Sequence, residues 1–340
     1  MASSYNGKIQ LEQGQTLTAY TAMTDSGDRQ ILTAGTLWSG KSGYEPSIRP
    51  NGIYSGRNVL STNASNDKVT VAGFSCYVKG SAYTVSATTC TFTRPATATK
   101  ACVYSVTVAS DGATVASVKG TISADQTFSE VRAAAGGPPL VPPDSIEIGQ
   151  IRVTTSTAAA VASSEIFQVV GTHTERSDYP AYTQSNIGDG IKAAASAQTN
   201  AYIKFDSVQP ASHTGPIGRK VYIQYYTPVM ADISNSVDFS PAQESYSVSS
   251  QQIYKDKTIA STSKSLGAGT FTAMLNDGIG DSIIAADGDL LTVKFFPDEN
   301  KSPYSLTQGK IGLAVTYPVD DQNQAAVTVA AEQKTSYFNS

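Results

Sequence analysis

The chain has 340 residues, a formal net charge of −4, 40% hydrophobic residues and only 15% charged ones. That length exceeds what one core usually covers and predicts two domains. The mild negative charge, without clustered Lys and Arg, excludes a protein that grips nucleic acid by displacing counterions. A charged fraction below the roughly 25% of an average soluble protein suits surfaces that are buried against other chains.

Cys76, Cys90 and Cys102 make an odd number confined to one region, without zinc or CxxC spacing. Each falls in a strand-like segment, and small buried hydrophobes in a reducing compartment are expected. The first residues show no basic stretch leading into an apolar core, so no secretory signal is expected. No apolar run approaches the length that crosses a bilayer.

Residues 1–58 lack sustained periodicity and mix short β-like pieces, such as residues 8–11 and 30–33, with breakers at Gly35, Gly40, Gly43, Pro46, Pro50 and Gly52. They are expected to form an N-terminal arm held by partners. Residues 59–135 hold short alternating runs separated by Gly73, Gly80, Pro95 and Asp111-Gly112, which predicts a compact β-sandwich. Asp111-Gly112 is a hairpin signal, since a type I′ turn needs positive φ at both central positions. Residues 136–144 contain Pro138, Pro139, Pro142 and Pro143 and predict a stiff linker.

Residues 145–340 form the second expected domain. Ile146 and Ile148 open it with strict alternation, and residues 220–226 are a strong strand. Residues 232–269 are polar and rich in serine, with Tyr246, Val248, Ile253 and Tyr254 as isolated apolar points. Tyrosine among serines predicts a protruding loop or hairpin that meets another subunit, with Tyr246, Ile253 and Tyr254 as its contacts.

The last third organises the rest. An apolar segment at residues 271–286, expected to be helical, precedes strands at residues 290–296, 310–317 and 324–333. Ile311, Leu313, Val315 and Tyr317 alternate against small or polar neighbours, as do Ala325, Val327, Val329 and Ala331. The second face of the final strand, with Gln324, Thr328 and Glu332, is small and polar and is expected to meet water or another chain.

Chemistry is sparse. His173 and His213 are the only histidines, and no GxSxG elbow, HExxH, GxGxxG or GxxxxGK[ST] accompanies them. Asp287 with Asp289, Asp298-Glu299 and Asp320-Asp321 sit between strands, where turn chemistry outweighs Ca²⁺ ligation. Trp38 and the Tyr225-Tyr226 pair are expected to fill cores or interfaces rather than stack sugars. No catalytic, cofactor-binding or metal-binding residue is expected, and the chain is not expected to be an enzyme.

The order of the apolar segment at residues 271–286, the strand at 290–296, the turn Pro297-Asp298 and the closing pair at 309–317 and 325–332 resembles the tail tube, or major tail, protein of long non-contractile-tailed bacteriophages. The resemblance covers the chain from Ser145 onward, with residues 1–130 as an added β-domain and arm. It implies a mainly β fold: a tail-tube-like β-sandwich or barrel domain with one short helix, plus an N-terminal β-sandwich domain and an extended arm. It also implies a virion protein made in the host cytoplasm that self-assembles into stacked, six-fold rings. Its partners would be other copies of itself and the tape measure, tail terminator and distal tail proteins, with no membrane. Gln324, Thr328 and Glu332 would then line a lumen through which DNA passes without specific binding. Two rival expectations stand beside it: a fibre or baseplate component that binds host glycan through the N-terminal β-domain, and a surface-polysaccharide hydrolase.

Overall fold

The computed structural model describes residues 6–26, 29–31, 39, 41–44, 46–56, 58–142, 144–168, 182–184, 201–204, 220–253, 257–278 and 281–338. The chain is mainly β, and the helical pieces among the described residues are single 3-10 turns such as Ser163–Glu165 and Ile284–Ala286. His173, His213, Trp38 and Tyr254 lie outside the described residues.

The largest element is an 8-stranded antiparallel sheet. Along it run Tyr226–Asp232, Lys8–Leu17, Leu290–Phe296, Tyr304–Thr316, Gln324–Ala331, Gly269–Met274 and Ser236–Ser240, with Ser336–Phe338 paired to Tyr304–Thr316 off this path. Its first and last strands are chain neighbours joined by residues 233–235, and Ile233 N donates to Ile9 O at 2.9 Å. The sheet therefore curls over its own core as an open barrel. Ile9, Leu11, Phe271, Ala273, Val293, Ile311, Ala325, Val327 and Val329 fill it, with Leu275, Ile283 and Ala286 closing one side.

Two expectations are corrected here. Lys8–Leu17, placed in an arm, is an inner strand of this sheet, because Ile9 and Leu11 alternate into the core and find partners on both edges. The segment expected to be helical begins instead as the strand Gly269–Met274, since Phe271, Ala273 and Leu275 bury themselves at period two. Asn276, Asp277 and Gly278 then break the chain before the turn at Ile284–Ala286.

A second core joins Ile53, Val69, Val71, Phe74, Cys76, Val78, Cys90, Phe92, Cys102, Tyr104, Val106, Ile146, Ile148 and Ile151. It lies among two 3-stranded sheets and a 4-stranded one. All three cysteines are buried there as free thiols. The 4-stranded sheet includes Ile146–Val153, laddered to Cys102–Val108 from Cys102↔Val153 to Val108↔Ile146. Hence this unit does not end at the prolines. Gly136, Gly137, Pro138 and Pro139 are buried against it. Ala133 N donates to Pro138 O at 2.8 Å, and Arg132 Nη1 to Pro139 O at 2.9 Å. The supposed linker is a packed crossover between two strands of one sheet.

The hairpin expected at Asp111-Gly112 forms between Cys102–Val108 and Val115–Lys119, but residues 109–114 make up its connection. Only Gly112 of the pair has positive φ, at 70°. Asp111 Oδ1 instead accepts the amides of Ala113 and Thr114, both at 2.9 Å, so its side chain organises a longer loop. Those bonds, led by the Thr114 hydroxyl, hold the Asp111 carboxyl down at about 2.

Candidate assembly surfaces

Glu244–Ile253 and Lys257–Leu266 pair with each other along ten residues each and, among the described residues, with no other strand. At about 3.3 Å per residue the ribbon reaches roughly 30 Å. Residues 245–252 and 258–265 are exposed on both faces. One face carries a ladder of hydroxyls, Ser245 to Ser265, Ser247 to Ser263 and Ser249 to Ser261, at 2.7, 2.6 and 2.7 Å. The opposite face presents Tyr246 and Val248, which are 63% and 69% exposed, while Ile259 on the serine face is 58% exposed. At the root Lys264 pairs with Glu244 at 2.6 Å, and the Tyr246 hydroxyl donates to the same carboxylate at 2.9 Å. Lys264 first, then Tyr246, holds the Glu244 carboxyl below its usual range.

Of the three residues expected to make inter-subunit contacts, Tyr246 thus stands on an exposed ribbon face and Ile253 ends its first strand. Tyr254 lies outside the described residues.

The second surface lies on the barrel. Ala325, Val327 and Val329 are buried, whereas Ala326, Thr328 and Ala330 are exposed, as alternation requires. Their cross-strand partners continue this outer face: Thr328 faces Gly312 and Thr270, and Ala326 faces Ala314 and Thr272. Gln324, half-buried, pairs with Thr316 and Met274 on the same face, and Glu332 is exposed just past the end of the strand. The patch is small, hydroxyl-bearing and uncharged until Lys310, opposite Ala330. Beyond it Val315, near the end of Tyr304–Thr316, and Tyr317 and Val319, in the connection to Gln324–Ala331, are exposed, the last at 98%.

The same outer face becomes buried and polar towards Lys8–Leu17. Glu12 is 2% exposed and forms an ion pair with Lys41, itself 8% exposed. Glu12 also accepts the Gln15 amide at 2.6 Å and the Thr292 backbone amide at 2.9 Å. Gln308 Nε2 donates to Ser39 O at 3.2 Å, which ties Ser39 over the sheet. Sequence reasoning missed this network, since the two charges are far apart in the chain and neither stands in a motif.

A polar joint ties the unit built on the second core to the strand Val221–Gln224. Asp144, with φ of 58°, accepts Tyr222 Oη at 2.8 Å and Lys220 Nζ at 3.0 Å, with Lys79 Nζ at 3.6 Å. Burial pushes its carboxyl up, but the bonds from Lys220 and Tyr222 outweigh that and leave it below its ordinary value. Arg49 lies between Tyr20 and Tyr77, 4.7 and 5.0 Å from their ring centres, and donates to Gly80 O at 2.6 Å. Gly80 is required there: its φ is 79°, and a Cβ would fall 2.4 Å from the Tyr20 ring.

Among the described residues no group of three or more His, Cys, Asp or Glu is placed to hold a metal ion. No helix of the described residues is long and apolar enough to cross a membrane. Comparison of the chain with protein-family models, curated proteins and solved structures finds no match.

Proposed function

We propose that this chain is a structural subunit that assembles with copies of itself, and that the assembly is the tail tube of a long non-contractile-tailed bacteriophage. The ribbon of Glu244–Ile253 and Lys257–Leu266 carries the reading. A lone two-stranded hairpin is marginally stable in water, and this one displays Tyr246, Val248 and Ile259 to solvent with both outer edges unpaired. Such edges are an aggregation liability unless a partner covers them. Its two faces total roughly 600 Å² by strand spacing and rise, near the roughly 800 Å² that each partner gives to a standard interface.

The uncharged outer face at Thr270, Ala314, Ala326 and Thr328 fits the same role. Facing a channel, these positions offer no fixed positive charge, Lys310 opposite Ala330 being the cation at their border, so phosphates would be held weakly and DNA would slide past. In this reading Gln324, Thr328 and Glu332 face the lumen, the rings are six-fold as in the resembling family, and the unit built on the second core lies outside the wall. The glycan-binding alternative draws less support, because Tyr54 and Tyr77 stack on each other at 4.3 Å and Arg49 covers Tyr77.

Replacing residues 244–266 by a short Gly-Ser linker tests the reading. A folded monomer that forms no rings or tubes by electron microscopy is expected; unchanged tubes would overturn the ribbon's role.

A further inference from the structure

Lys8–Leu17 and Leu290–Phe296 are neighbours in the barrel, yet they pair only from Lys8↔Phe296 to Leu11↔Val293. Both strands continue past that point, to Leu17 and back to Leu290, without a ladder between them. Two features part them. A register shift between Glu12 and Gly14 bends the first strand. The Glu12 carboxylate also takes the Thr292 amide, so that amide is spent on a side chain rather than on a neighbouring strand.

The parted strands leave a cleft of about 450 Å³, lined by Gln13, Gln15, Tyr44, Ala285, Leu290 and Leu291 among others. Beyond Glu12 the first strand stays laddered to Tyr226–Asp232 on one side only. Gln15 Oε1 is buried there without a donor. An open strand edge beside an unsatisfied acceptor is what an incoming backbone N–H would complete.

We propose that this split receives one edge of the exposed ribbon of a second copy of the chain, which adds as a strand beside Gly14–Leu17. This rests on the self-assembly reading above. The ribbon is the matching half. Its ten-residue strands have unpaired outer edges, and a third strand is what a two-stranded ribbon lacks. It is close to neutral near its root, where Lys264 and Glu244 satisfy each other, while the cleft pairs Lys41 with Glu12 and adds the carboxylate of Asp289. Direction favours a second molecule over self-insertion. The ribbon is rooted at the Gly269 end of Gly269–Met274, whereas the split opens towards the end where Met274 meets Gln324. Joining unlike surfaces of successive copies generates a ring or an open stack.

The test is intermolecular cross-linking of the full chain carrying Gln13→Cys and Thr262→Cys, treated with a short bis-maleimide while sedimentation follows assembly. Cys76, Cys90 and Cys102 are buried and stay silent. A ladder of covalent multimers, absent from either single variant, is expected. Assemblies that sediment normally but yield no multimers, or only a cross-linked monomer, would overturn the split as the receptor while leaving self-assembly standing. Absence of assembly by the unmodified chain would overturn both. Ala285→Trp, at an exposed position lining the cleft, provides a second arm. It is expected to raise the protein concentration needed for assembly by at least about tenfold, equivalent to about 1.4 kcal/mol, with unchanged thermal unfolding. Unaltered assembly by a folded Ala285→Trp chain would contradict the proposal.

Discussion

Phe239 and Phe295 stack with ring centroids 4.3 Å apart and planes inclined by 18°, although their strands are well separated along the sheet. Only a sheet that curls back on itself brings Ser236–Ser240 over Leu290–Phe296. Both rings pack, partly buried, against the barrel core. Phe295→Ala is therefore expected to cost about 3 kcal/mol, the low end for deleting a packed phenylalanine. A double-mutant cycle with Phe239→Ala should show coupling of about 0.5–1.5 kcal/mol. Additive losses in denaturant unfolding would show that the two strands do not close the barrel.

The Glu12–Lys41 pair supports a different prediction. Both side chains are almost wholly buried, so removing one strands the other's charge. Lys41→Met should destabilise the chain by about 3–5 kcal/mol, and adding Glu12→Gln should recover part of that. Equal stability of the Lys41→Met and wild-type chains would mean that Glu12 is reached by water.

Asp144 makes the joint with the strand Val221–Gln224 sensitive to acid. Its folded value is depressed by Lys220 and Tyr222 despite burial, so its contribution is present above the unfolded value near 3.8. It is lost as pH falls through the lower folded value. The stability of the wild-type chain should drop more steeply below about pH 4 than that of Asp144→Asn. Parallel curves from acid unfolding would exclude the joint as a source of that slope.

The thiols give an inexpensive check on the second core. Burial pushes Cys76 up to about 12 and Cys90, despite its bond to Ser117, up to about 11. A thiol-specific reagent at pH 8 should find no reactive cysteine in the native chain and all 3 after denaturation. Rapid labelling of the folded chain would show that the core around Cys102–Val108 opens.

The strands at the end of the chain were legible because their burial has period two: Val327 and Val329 against Thr328 and Ala330 is a pattern that local chemistry alone produces. Lys8–Leu17 was legible only as a short β-like piece at residues 8–11, because only Ile9 and Leu11 mark its core face and its partners lie more than 200 residues away. Phe271 to Ala286 misled because its two apolar pieces, on either side of Asn276, Asp277 and Gly278, were read as one helix, and periodicity alone does not divide short apolar pieces between strand and helix. The proline stretch misled for another reason. Pro138 and Pro139 do prevent a strand, but their carbonyls are still used, by Ala133 and Arg132, so stiffness there serves packing rather than separation. Of the proposed assembly surfaces, the tyrosine and serines of the ribbon were visible in the sequence. The split beside Glu12 was not, since it arises from a register shift between strands distant in the chain.

The central claim, that copies of this chain build a hollow tube, is tested most directly by negative-stain electron microscopy of the purified full chain across a range of concentrations. Rings or stacked tubes with a central channel are the predicted result. A uniform population of monomers at every concentration, without rings or tubes, would contradict it.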